Sequence, residues 1–521
     1  MKRFDNYEVI IPDFLALHGK HRAARPALVC GDRRFTWAEF SERIDRVANG
    51  LIARGLKKGD KVSLLSSNCI EMPEIIFGVV RAGGVIVPLS AMVTGEALAR
   101  MIDNSDSTFL FVRASMCEVV KPFRSGFDKI PADHFFAFDG RVEGWGSYDD
   151  FLASAGPEPP EVKITYYDPF NIMYTSGTTG RPKGILHHHA NRMYFAGVIG
   201  LDLSMNAASK GIVSTSLYAN GTWLAFLPIV FSGGCVVVME VFDPIEFARL
   251  IQQEKCTHTF MAPVQFQALL ENIDFDQYDL SSMKVWVSGG SAMRTDIKRQ
   301  VLEKFPGELM DLWGLTEGVA TIIRHEEIMA GKMESVGLPL PGMDVRIIDD
   351  DGRELPRGEL GEIVGYSPFL MPEYYKLPEK TAESIWVDEA GRTHLKTGDM
   401  GKLDEDGFLY ILDRKKDMIL SGGINIFAND LEQVIGRHPD VSDVTVIAVP
   451  HKKWGETPLA LVIRRPGAEA TGEEIKAWAN PKLAKYQRLH AVEFVDDLPR
   501  NALGKVLKRQ LREPYWKDFR K

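Results

Sequence analysis

Tyr174-Thr-Ser-Gly-Thr-Thr-Gly-Arg-Pro-Lys-Gly184 is the stretch of this 521-residue chain whose reading settles most of the rest. Gly177, Gly180 and Gly184 let the backbone approach a ligand closely and take positive φ. Consecutive N–H groups can then form an anion-binding concavity. Thr175, Ser176, Thr178 and Thr179 add hydroxyl donors and Lys183 adds a cation, a set suited to a polyphosphate. The spacing is not Walker A: Lys183 is followed by Gly184 rather than Ser or Thr, and the glycines fall at other offsets.

Outward from this loop the chain alternates strand and helix signals. Thr36 and Glu39 make a capping box ahead of Trp37, Phe40, Ile44, Val47, Leu51 and Ile52, which share one helical face and predict a helix over about 37–54. Val62–Leu65, a helical stretch over 71–82 and Val85–Leu89 read as strand, helix, strand. The pattern recurs with Gly234–Met239, the helical Pro244–Gln253 and Lys284–Ser288. This predicts an α/β architecture with largely parallel sheets flanked by helices. After about residue 340 the texture changes to short runs split by Gly, Pro and Asp, such as Val345–Ile348 and Glu362–Gly365, which predict a smaller β-rich subregion. A charged run, Asp413-Arg-Lys-Lys-Asp417, precedes a last segment with its own apolar runs, Val444–Val449 and Leu459–Ile463. A boundary is therefore expected at about 415, giving a large domain over 1–414 and a small α+β domain over 415–521.

Composition bounds the function classes. A net charge of −9 gives no basic footprint for nucleic acid. The five cysteines are scattered, odd in number and never in a Cys-x-x-Cys pair, which points away from a disulfide framework or zinc site and toward a reducing cytoplasm. Met1–Glu8 lacks the apolar core of a signal peptide, and Asp518–Lys521 is not a peroxisomal address. The most apolar run, Phe226–Val241, is broken by Pro228, Ser232, Gly233 and Gly234, so no membrane span is expected.

With its phosphate loop the chain resembles the adenylate-forming superfamily of acyl-CoA synthetases, luciferases and peptide-synthetase adenylation domains. That family's other motifs recur in order along nearly the whole chain. Asp311-Leu-Trp-Gly-Leu-Thr-Glu317 matches its aromatic-Gly-x-Thr-Glu motif. The match implies that Trp313 lies against adenine, where a flat aromatic offers stacking area, that Thr316 contacts the α-phosphate, and that Glu317 helps hold Mg²⁺. Thr397-Gly-Asp399 matches the motif whose Asp accepts from the ribose hydroxyls, with Arg414 supporting the same ribose. The implied ATP site therefore comprises Thr175, Ser176, Gly177, Thr178, Thr179, Gly180, Lys183, Gly290, Ser291, Asp311, Trp313, Gly314, Thr316, Asp399 and Arg414.

Lys505, in Pro499-Arg-Asn-Ala-Leu-Gly-Lys505, matches the family's C-terminal lysine and is the implied catalytic cation beside Thr316 and Glu317. A carboxylate attacking an α-phosphate builds negative charge, which a preorganised cation stabilises. Ser421, Gly422 and Gly423 resemble the segment lining the pantetheine channel for coenzyme A, and Lys416 occupies the family's hinge position. Two features invite care. Ala219 stands where many acyl-CoA ligases carry a gating His, and His187–His189 looks like a metal cluster although consecutive side chains point in different directions. His189 is the one that matches a family histidine.

The resemblance implies an acid pocket built from Tyr218, Asn220, Gly289, Gly290, Gly314, Val319 and Gly337. Between Gly211 and Val230 there is no Asp, Glu, Lys, Arg or His. An unpaired buried charge is costly, so this wall favours an apolar or aromatic monocarboxylic acid, fatty or aryl. The resemblance thus implies an acid:CoA ligase using ATP, Mg²⁺ and coenzyme A, with no nucleic-acid partner. It leaves open a carrier-protein acceptor, a catalytically silent scaffold and assembly as a homodimer.

Overall fold

The structure is a computed structural model that describes residues 8–93, 95–175, 183–501 and 504–517. Its strands form four sheets. A seven-stranded sheet runs in the order Gly146–Ser147, Phe135–Phe138, Ser107–Arg113, Lys61–Leu65, Val85–Leu89, Pro169–Thr175, Lys183–His188. Every neighbouring pair in it is parallel except the last. A nine-stranded sheet is parallel from Glu308–Gly314 through Val285–Gly289, His258–Met261, Lys210–Val213 and Cys235–Val238 to Pro26–Cys30, with antiparallel strands at both edges.

The capping box at Thr36 is made on both sides, by Thr36 Oγ1 to the Glu39 N–H and by the Glu39 carboxylate to the Thr36 N–H, and it starts the helix Trp37–Ala53. That helix packs on Glu71–Arg81 at glycine distance, since a Cβ on Gly78 would sit 2.4 Å from Val47. The run over 226–241 resolves into a buried helix, Trp223–Ser232, and the buried strand Cys235–Val238. Gly233, at φ 77°, caps the helix in the left-handed conformation. Among the described residues no helix is long and apolar enough to cross a membrane.

The β-rich subregion is an antiparallel sheet built from Asp344–Ile348, Gly361–Tyr366, Ile385–Val387, Thr393–Leu403 and Leu409–Arg414. After a turn over 415–417 a fourth sheet begins at Ile419 and carries the long hairpin Val441–His451 and Gly455–Arg464, with the helices Ala428–Ile435 and Gly472–Ala479 sharing its core. All five cysteines are buried as free thiols. Burial raises the thiol pKa of Cys30, Cys117 and Cys235 to about 11 and of Cys69 to about 12.

Candidate active site

The phosphate-loop sequence joins the antiparallel strands Pro169–Thr175 and Lys183–His188, whose ends Thr175 and Lys183 are register partners. Ser176, Gly177, Thr178, Thr179 and Gly180 lie outside the described residues. Lys183 Nζ stands 4.6 Å from the centre of the Tyr374 ring. The Tyr374 hydroxyl donates to Glu317 Oε1 at 2.8 Å, which ties the loop's lysine to the proposed metal ligand. Burial and the Glu317 charge push the Tyr374 phenol pKa up, so it stays a donor. Sequence reasoning missed Tyr374, because it belongs to no motif and is brought in only by its isolated bridge to Ile185.

Trp313 closes the strand Glu308–Gly314, and its indole N–H donates to Asp399 Oδ2 at 3.0 Å. Asp399 is the ladder partner of Arg414 on adjacent strands, and their side chains lie 3.0 Å apart. The implied adenine and ribose residues are thus in direct contact. Lys505 is half-buried in a turn closed by Lys505 N–H to Asn501 Oδ1 at 3.0 Å and Asn501 N–H to the Lys505 carbonyl at 2.9 Å. The preceding Gly504, at φ 73°, packs against Ala262 and Val264. Burial lowers the Lys505 pKa to about 8, and the nearby Arg414 cation adds to the effect while Asp399 opposes it. The C-terminal lysine therefore stands within electrostatic reach of Arg414 and Asp399, the pair implied for the ribose.

A cavity adjoins this cluster, lined by Asn220, Gly290, Gly314 and Thr316 from the expected set. Gly290, at φ 86°, and the half-buried Ser291 follow the strand Val285–Gly289 directly. The opposite wall is the helix His189–Asp202, whose Asn191, Arg192, Phe195 and Ile199 face inward, with His187 from the strand before it. Sequence reasoning missed this wall; the signal present was the spacing of Arg192, Phe195 and Ile199 on one helical face.

Several expected residues are placed elsewhere. Tyr218 is buried in the main apolar core and does not line the cavity. Val319 is fully buried in the core of the antiparallel sheet, pressed on Gly365. Gly337 backs onto the Ile322 carbonyl, where a Cβ would come within 1.9 Å. Gly289 sits behind Phe260, which takes the lining position. Asp311 is engaged in a buried ion pair with Lys298 at 2.8 Å, supporting its strand rather than offering a carboxylate to a nucleotide. Ser421, Gly422 and Gly423 form the turn of the hairpin Ile419–Ser421 and Ile424–Ile426, where both glycines are exposed at positive φ. Among the described residues none of that turn's hydrogen bonds reaches Trp313, Asp399, Arg414 or Lys505. Lys416 lies in the exposed turn over 415–417, and its carbonyl accepts from Arg512. Ala219 is partly buried against the main core.

The three histidines diverge. His187 Nε2 lies 2.9 Å from the Thr316 carbonyl, and its Nδ1 is 3.2 Å from both Asn171 Nδ2 and Arg192 Nη2. Those partners assign the proton to Nε2. Burial, then the Arg192 charge, holds this ring neutral. His188 precedes the helix, and His189 packs edge-on against Phe170 with its pKa lowered by burial to about 3.

For a divalent cation, Glu317 is the fitting donor. Its Oε1 is fixed by Tyr374, and Oε2 has no hydrogen-bond partner among the described residues, which leaves a hard oxygen for Mg²⁺.

The model of the AMP-binding enzyme family matches residues 16–375, and that of the AMP-binding enzyme C-terminal domain matches 430–505. A feruloyl-CoA synthase from Amycolatopsis sp is 32% identical over 488 residues, covering 93% of this chain and 95% of that one. A fatty acid–[acyl-carrier-protein] ligase, ScoC from Streptomyces coeruleorubidus, is 31% identical over 514 residues, 96% of each chain. ATP-bound MatB from Rhodopseudomonas palustris superimposes with a TM-score of 0.88 at 28% identity, covering 98% of this chain and 100% of that one. On these matches and this fold, the chain belongs to the AMP-binding enzyme family, the adenylate-forming acyl-CoA synthetases and acid ligases.

Proposed function

We propose that this protein is an ATP-dependent acid:CoA ligase that activates a monocarboxylic acid with an apolar or aromatic body through an acyl-adenylate. The observation that carries the reading is that Lys505 stands within electrostatic reach of Asp399 and Arg414, while Gly314 and Thr316 of the neighbouring motif line a cavity. In the first step a carboxylate oxygen bonds to the α-phosphorus as the bond to pyrophosphate breaks. Lys505 and the Thr316 hydroxyl stabilise the charge on the α-phosphate, while Trp313, Asp399 and Arg414 hold the nucleoside. Bound at Glu317, Mg²⁺ would neutralise phosphate charge. In the second step the coenzyme A sulfur attacks the acyl carbonyl and AMP leaves with its phosphate oxygen.

Residues 1–414 and 415–521 act as two domains in this reading, turning about Lys416 so that the Ser421–Gly423 turn replaces Lys505 at the site. One hydrogen bond spans the joint, Asp413 Oδ2 accepting from the Ala428 N–H at 2.8 Å, and would have to break in that turn, while Arg512 pairs with Asp417 at 2.8 Å within the small domain. The cavity measures about 80 Å³. A cavity of this size favours a compact acid body over a long alkyl chain.

The test is incubation with ATP, Mg²⁺ and a panel of aliphatic and aryl acids, with and without coenzyme A, reading AMP and acyl-CoA by mass spectrometry. Acyl-CoA from one class of acid is the expected result. Adenylate without thioester would move the acceptor to a carrier protein, and no AMP from any acid would overturn the reading.

A further inference from the structure

The Arg192 guanidinium is 1% exposed, lines the acid cavity and has no carboxylate partner among the described residues. A buried cation without a counter-charge is costly, and burial lowers its pKa to about 9, leaving it charged at neutral pH. Its surroundings solvate it with neutral groups. Nε donates to Asn171 Oδ1 at 2.7 Å and Nη1 to Asn220 Oδ1 at 2.8 Å. Nη2 meets Met173 Sδ at 3.5 Å and His187 Nδ1 at 3.2 Å. The Trp223 and Phe195 rings lie 4.7 and 5.5 Å away. Four of the five N–H groups are thereby committed. One N–H on Nη1 has no acceptor among the described residues.

A single remaining donor cannot offer the two-pronged geometry that a carboxylate prefers from arginine. It can serve one neutral oxygen. Resting on the acid-ligase reading, we infer that Arg192 is a specificity-determining residue that donates to a neutral oxygen acceptor, a hydroxyl, ether or ketone, on the body of the acid. The substrate class narrows accordingly to oxygenated aryl or short-chain monocarboxylic acids. Rejection of an unsubstituted acid follows because that acid would leave the buried N–H unmet.

The experiment compares matched acids by pyrophosphate release: 3-phenylpropanoate and hexanoate, their hydroxy, methoxy and oxo derivatives at each position, and the dicarboxylates of equal length. Wild-type enzyme is expected to prefer an oxygenated member over its unsubstituted parent by about 10- to 100-fold in kcat/KM, a factor matching one hydrogen bond to a charged group. Arg192→Met is expected to remove that preference, mainly through KM, so that the oxygenated acid and its parent are turned over with similar kcat/KM. Arg192→Lys, which keeps the charge and loses the fork, should keep part of it and serves as the folded comparison if the methionine variant melts early. Four results would overturn the inference: no preference in the wild type, a wild-type preference for the parent acids, a preference for the dicarboxylates, or an unchanged ranking in both variants. Turnover without any preference defeats only this inference, whereas no AMP from any acid defeats the ligase reading beneath it.

Discussion

His187 Nε2 and the carbonyl oxygen of Thr316 stand 2.9 Å apart, and that one hydrogen bond joins the acid-cavity wall to the loop bearing Glu317. Because Nδ1 faces Arg192 on the other side, a neutral imidazole stands between the cavity-lining Arg192 and Thr316, the residue proposed to contact the α-phosphate. His187→Leu leaves the Thr316 carbonyl and one Arg192 N–H unpaired, at about 1–3 kcal/mol for each buried group. We expect kcat/KM for adenylate formation to fall about 10- to 100-fold. His187→Gln, which can still donate toward Thr316, should fall less; equal losses would sink the bridging role.

Lys505→Ala separates the two half-reactions. A cation about 4 Å from a developing anion is worth some 4 kcal/mol at an effective dielectric near 20, or about a thousandfold in rate. Adenylate formation, read by pyrophosphate release, should drop by that order. Thioester formation from added acyl-adenylate should stay within about threefold, and a parallel loss of both would refute the assignment.

The depressed pKa of Lys505, about 8, sets an alkaline limit. The cation is present below that value and lost as pH rises through it. kcat/KM reports the free enzyme, so for ATP it should decline above about pH 8. Lys505→Arg, charged throughout, should flatten that limb even if its rate is lower. An unchanged limb in the variant would assign the titration to another group.

Asp399→Asn removes the charge that holds Arg414 and keeps an acceptor for Trp313. The expected signature is a KM for ATP raised about 10- to 100-fold with a smaller change in kcat. Isothermal titration with ATP provides the direct check, and wild-type affinity in the variant would remove Asp399 from the nucleoside site.

Gly337→Ala tests a correction to the sequence reading. With a Cβ 1.9 Å from the Ile322 carbonyl and φ at 87°, alanine cannot fit without moving the strand. Destabilisation above about 2 kcal/mol is expected, from a steric and a backbone cost together, seen as a lowered Tm. Unchanged Tm with altered acid preference would return Gly337 to the pocket.

The parts legible in the sequence were those written in local code. The Thr36 capping box, the apolar runs of the parallel strands and the motif around Trp313 each depend on neighbours a few residues away. The acid cavity was only half legible. Its uncharged wall is contiguous, whereas Arg192 enters from a helix about thirty residues earlier and reveals its role only through Asn220. Val319 and Gly337 are expected in the pocket from segments carried over by the family resemblance, and packing places them behind it. Asp311 was assigned with its motif, but Lys298, one turn into a different helix, claims its charge.

The five buried cysteines leave the surface chemically quiet toward thiol reagents. Their raised pKa values keep the thiolate scarce at neutral pH, and burial denies access to what remains. A single engineered thiol on the exposed hairpin, Asn425→Cys, would then be the one fast-reacting position, and a fluorophore there would report whether the small domain turns as proposed.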